Sequence, residues 1–91
     1  MSVYDVESPI DEKILSEFGF EEYYDDGRLI YIKRFHLYAT LMINPETFDV
    51  FFVYMENNTR KTKVLKAGHI DDRIDLECIV NKYYKISWHK N

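Results

Sequence analysis

The sequence predicts an α+β fold: an N-terminal helix, an antiparallel four- to five-stranded meander, and a C-terminal helix packed on one face of the sheet. Three observations predict it. Apolar residues recur at helical spacing near both ends, runs rich in aromatic and β-branched residues fill the middle, and turn signals separate those runs. Ninety-one residues, 46% apolar and 31% charged, suit one compact domain spanning 1–91 around one core.

Ser8-Pro9-Ile10-Asp11 has the form of a helix start, with Ser8 as the hydroxyl cap and Pro9 in the first turn, where its missing N–H costs nothing. Ile10, Ile14, Leu15 and Phe18 follow at helical spacing and Gly19 ends the run, so a helix is expected over 9–18. Phe20 to Tyr24 then leads into Asp25-Asp26-Gly27-Arg28, where Asp-Gly supplies the positive φ angles of a two-residue hairpin turn. Leu29 to Phe35 returns, and Leu37 to Ile43 extends or follows it. Asn44-Pro45-Glu46-Thr47 puts proline at the second turn position, which its fixed φ suits. Phe48 to Met55 is the next strand, and Lys61 to Lys66, rich in lysine, pairs back as an edge strand.

The segment from Asp71 to Tyr84 carries two periods at once. Ile74, Leu76, Cys78 and Val80 alternate as in a strand, whereas Leu76, Ile79, Val80 and Tyr83 fall at i, i+3, i+4 and i+7. Its length and an available cap at Asp71 or Asp72 favour the helix. The tail from Lys85 either adds a short strand through Ile86 and Trp88 or packs without one.

Charge is unevenly spread. Residues 1–27 hold nine acidic side chains against Lys13 alone, a net of −8, while residues 28–91 hold seven acidic and eleven basic ones, a net of +4. Such asymmetry bears on partners and association rates rather than on the fold. The acidic third, with Glu17, Glu21, Glu22, Tyr23, Tyr24, Asp25 and Asp26, is the candidate partner-binding surface, able to imitate a phosphate row before a basic groove. The same charges also suit an ordinary solvated face. Arg60, Lys61, Lys63 and Lys66 form the opposite, basic patch, which either contacts phosphates or blocks sheet-to-sheet association.

Adjacent apolar pairs such as Tyr23 with Tyr24, and the runs Leu29 to Ile32 and Phe51 to Val53, put apolar side chains on both faces of a sheet. Two short helices cover one face, so the other is left to the tail, a second copy of the chain, or a partner. Eight tyrosines strengthen the case for a contact surface.

No chemistry-bearing pattern stands out. Cys78 is expected as a buried small apolar residue rather than a nucleophile served by His36, His69 or His89. His69, Asp71, Asp72 and Asp75 lack metal-ligand spacing, and Asp25 and Asp26 read first as turn residues. No phosphate loop, nucleophile elbow or zinc-protease helix is present, and neither an enzyme nor a cofactor is expected. One cysteine and the absence of a leader-like start or membrane-length apolar run suggest a cytoplasmic protein with no membrane contact.

The short length, the tyrosine-rich strands and the acidic front, Leu15-Ser16-Glu17-Phe18-Gly19-Phe20-Glu21-Glu22, look like the small accessory proteins of phages and prophages. Anti-CRISPR proteins and other inhibitors of host defence belong to that group. The resemblance lies in style over the whole chain, and it carries over no functional residue. It implies an inhibitor that occludes a basic nucleic-acid site on a larger protein, such as a nuclease. A homo-oligomer hiding the second sheet face, or nucleic-acid binding through Arg60 to Lys66, are the alternatives.

Overall fold

In a computed structural model, residues 10–56 and 61–89 are described, His89 by its backbone alone. The elements run α1 (Glu12–Glu17), β1 (Glu21–Asp25), β2 (Arg28–His36), β3 (Ala39–Ile43), β4 (Asp49–Met55), β5 (Thr62–His69) and α2 (Arg73–His89). The five strands form one antiparallel sheet in sequence order, so β1 and β5 are its two edges. This is the α+β meander that the turn spacing predicts.

The first helix is shorter than its periodicity suggests. Asp11 is the N-cap, and its carboxylate accepts the Ile14 N–H at 2.9 Å; Ser8 and Pro9 lie outside the described residues. Gly19, at φ +91°, closes α1: its N–H donates to Ser16 O and the Phe20 N–H to Leu15 O, both at 2.9 Å. That reciprocal pair satisfies two orphan carbonyls and buries Phe20 with Leu15.

Asp26 (φ +59°) and Gly27 (φ +81°) make the two-residue turn joining β1 to β2, the left-handed pair that matches strand twist. Between β3 and β4, the Asn44 side chain accepts the Glu46 N–H at 2.9 Å while its carbonyl accepts the Thr47 and Phe48 N–H groups. The edge strand β5 runs beyond Lys66 to His69. Arg60 lies outside the described residues.

The ambiguous C-terminal segment is a helix, and it continues through Ile86 and Trp88, so the tail adds no strand. Packing decides the period: Leu76, Val80, Tyr83 and Ser87 are buried on one stripe, whereas Ile74 and Cys78, the other members of the strand-like alternation, are exposed. Cys78 therefore corrects the expectation of a buried thiol. It sits off the stripe that α2 turns to the sheet. Asp72 caps the helix by accepting the Asp75 N–H at 3.0 Å, and the Asp75 carboxylate accepts the Asp71 N–H at 2.9 Å.

Both helices pack on the same sheet face. The core joins Ile14 and Leu15 of α1, Leu76, Val80 and Tyr83 of α2, and Tyr31, Leu41, Ile43, Val50 and Phe52 of the strands. The strand residues that alternate with these, among them Ile30, Ile32, Met42, Phe51 and Val53, point to the opposite face and stay half-buried. No described element covers that second face.

Candidate functional site

β1 is the acidic edge of the sheet, and all five of its side chains are exposed. Alternation divides them. Glu22 pairs with Tyr31 and Tyr24 with Leu29 on the helix-covered face, while Glu21 pairs with Ile32, Tyr23 with Ile30 and Asp25 with Arg28 on the open face. Tyr23 and Tyr24 are 51% and 63% exposed, so both rings are available for contact. Glu21, Glu22, Asp25 and Asp26 form no ion pair with a basic side chain among the described residues, although Arg28 is the cross-strand neighbour of Asp25.

Glu17 is placed differently. Its carboxylate accepts from Arg73 Nη1 at 3.0 Å, and the Arg73 guanidinium lies 5.4 Å from the Phe18 ring centre. Glu17 thus ties the end of α1 to the start of α2 and stands apart from the β1 row.

A hollow of about 580 Å³ opens between α1 and β1, lined by Glu12, Lys13, Ser16, Phe20, Glu21, Glu22 and Tyr31. Burial first, then the carboxylates of Glu12 and Glu22, push the Tyr31 phenol above its ordinary value of 10.0. The same field that disfavours a phenolate there favours a cation, and Lys13 already lines the hollow.

The basic residues occupy the opposite edge. Lys63 pairs with Tyr54 on the helix side and Lys66 with Phe51 on the open side, so they form no single row. Each also has an acidic neighbour, Lys63 at 3.6 Å from Glu56 and Lys66 at 3.8 Å from Asp49.

His69 lies between two carboxylates, with Nδ1 3.3 Å from Asp49 and Nε2 3.2 Å from Asp71. Thr47 first, then His69, hydrogen-bond the Asp49 carboxylate and hold it below its ordinary 3.8. Asp72 and Asp75 are engaged in capping α2. Among the described residues no group of three or more histidine, cysteine or acidic side chains is arranged to hold a metal ion.

A second hollow, about 430 Å³, lies beneath the C-terminal half of α2, walled by Ala39, Phe52, Tyr54, Leu65, Tyr83 and Ile86 with His36 and Lys82 at its rim. A β-bulge positions it. The register shifts between Arg34 and His36, which turns both Phe35 and His36 toward α2: Phe35 meets Tyr84 at 5.9 Å and His36 meets Trp88 at 5.1 Å between ring centres. No turn signal in the sequence marks that bulge, so neither the hollow nor the His36 contact was legible there.

No described helix is long and apolar enough to cross a membrane. Compared with protein-family models, with curated proteins and with solved structures, the chain has no significant match.

Proposed function

We propose that this protein is a non-enzymatic inhibitor that docks its acidic, tyrosine-bearing β1 edge onto a basic surface of a larger protein, in the manner of anti-CRISPR proteins. One observation carries the reading: an edge strand whose carboxylates form no ion pair among the described residues also carries two half-exposed tyrosines. Unpaired carboxylates steer a basic partner from a distance, and desolvated tyrosines hold it at contact. The hollow beside Glu12 and Glu22 adds a receptacle for a cationic side chain. The natural target surface is a nucleic-acid-binding groove, because its lysines and arginines already expect a row of negative charge.

The experiment is competitive. Immobilised protein should capture a nucleic-acid-binding protein from host lysate, DNA should displace it, and capture should fall steeply as salt rises. Reversal of Glu22 and Asp26 to lysine should abolish capture with the circular dichroism spectrum unchanged. Capture indifferent to both salt and DNA would sink the acidic-edge reading.

A further inference from the structure

The open sheet face carries a self-complementary row. In register across the five strands stand Glu21, Ile32, Met42, Phe51 and Lys66, each paired with the next. The row is acidic at one end, basic at the other and apolar between. Met42, on the middle strand, is its centre.

From this row the geometry points to a homodimer: two copies stack their open faces about a two-fold axis that passes through Met42 about 15° off the direction of β3, half the usual angle between stacked sheets. Rotation about that axis exchanges the two ends of the row. Glu21 of each copy then faces Lys66 of the other, Ile32 faces Phe51, and Met42 meets its symmetry mate. A two-fold along the row would instead oppose Glu21 with Glu21 and Lys66 with Lys66, so the charges select the first arrangement.

The dimensions suit it. Strands about 4.8 Å apart place the row's ends roughly 19 Å from one another, and stacked sheets lie about 10 Å apart. The usual twist of about 30° between stacked sheets displaces each end by about 5 Å, within reach of a glutamate and a lysine. Lys66 is 61% exposed and meets Asp49 only at 3.8 Å, so its ammonium is free to turn to a second carboxylate. Ile30 and Val53 flank the row, and Val64, 65% exposed, extends its apolar part toward β5. Arg34, opposite Thr40 in the adjoining row, has a stem long enough to carry its charge to the rim.

A stack of this kind hides the apolar face that no described element covers, and leaves Glu22, Tyr24 and Asp26 outside the interface. The stack also takes up Glu21, Tyr23 and Asp25, which share the open face, so in the dimer docking is left to Glu22, Tyr24 and Asp26. The two readings still fail separately: one is read by mass in solution, the other by capture.

Sedimentation of the full chain tests it. From micromolar to millimolar protein, the wild type should reach twice its 11.0 kDa mass. Glu21→Lys alone and Lys66→Glu alone should each weaken association by about tenfold or more, since each opposes like charges twice. An equimolar mixture of the two variants should form a heterodimer, because every clash becomes an ion pair, and the double exchange in one chain should restore the homodimer. Met42→Arg should leave a folded monomer. A wild type that remains monomeric overturns the proposal, whether residues 1–9 or water covers the face instead. So do single variants that dimerise as well as the wild type, or a mixture that stays monomeric.

Discussion

His36 Nε2 lies 3.2 Å from the Ser87 carbonyl oxygen, joining the end of β2 to the last turn of α2 across 51 positions of sequence. Its other nitrogen, Nδ1, accepts the Tyr38 N–H at 3.2 Å, so the ring proton sits on Nε2 and is donated to the carbonyl. That carbonyl belongs to the final helical turn, where intrahelical donors have run out. One imidazole thereby serves both the β2–β3 turn and the helix end.

Replacing His36 by phenylalanine keeps a ring beside Trp88 and removes both hydrogen bonds. The expected cost is about 1–2 kcal/mol. In a domain of this size each kcal/mol lowers the melting temperature by roughly 4–8 °C, which thermal unfolding followed by circular dichroism reads directly. An unchanged melting temperature would mean that water serves the helix end equally well.

The phase of α2 gives a second test. Leu76 is fully buried and Ile74 is 68% exposed, two residues apart on the same helix. Leu76→Ala should cost about 2–5 kcal/mol through lost burial and the cavity left behind. Ile74→Ala should stay within about 0.5 kcal/mol of the parent. Urea unfolding midpoints separate the two, and equal costs would contradict the helical stripe.

Much of this architecture was legible because it rests on local chemistry. Asp26-Gly27 specifies its turn by φ preference, Gly19 its helix end, and Asn44-Pro45 the next reversal. The charge split between residues 1–27 and the rest of the chain was legible from the order of acidic and basic residues. What escaped the sequence depends on distant pairing. The bulge before His36 and the diversion of Glu17 to Arg73 are decided by where elements meet, and no local pattern encodes them. Cys78 failed for a related reason: a window of alternating apolar residues fits a strand and a helix equally, and only the sheet beneath decides which side turns inward.

The exposure of Cys78 has a direct chemical consequence. A thiol on the outer side of α2 should react with a disulfide reagent in the folded protein, one equivalent per chain, at a rate that denaturant changes little. Reaction that begins only as the protein unfolds would return Cys78 to the core and shift the whole register of α2.

Stability should fall at both ends of the pH scale, for opposite reasons. Hydrogen bonds from Thr47 and then His69 hold the Asp49 carboxyl below 3.8, so the unfolded chain takes up a proton there more readily than the folded one. That contribution is complete above the ordinary carboxylate value and disappears as pH falls through the lower, folded value. The Tyr31 phenol is shifted upward, by burial and then by Glu12 and Glu22, so the folded chain holds its proton longer. Its contribution is complete below 10.0 and is lost as pH climbs through the raised, folded value. Urea midpoints measured across pH should therefore show two declines with separable origins. Asp49→Asn should flatten the acid side and leave the alkaline side, and Tyr31→Phe should do the reverse. If either substitution leaves its own decline intact, that limb belongs to other groups, and the environment assigned to the residue is wrong.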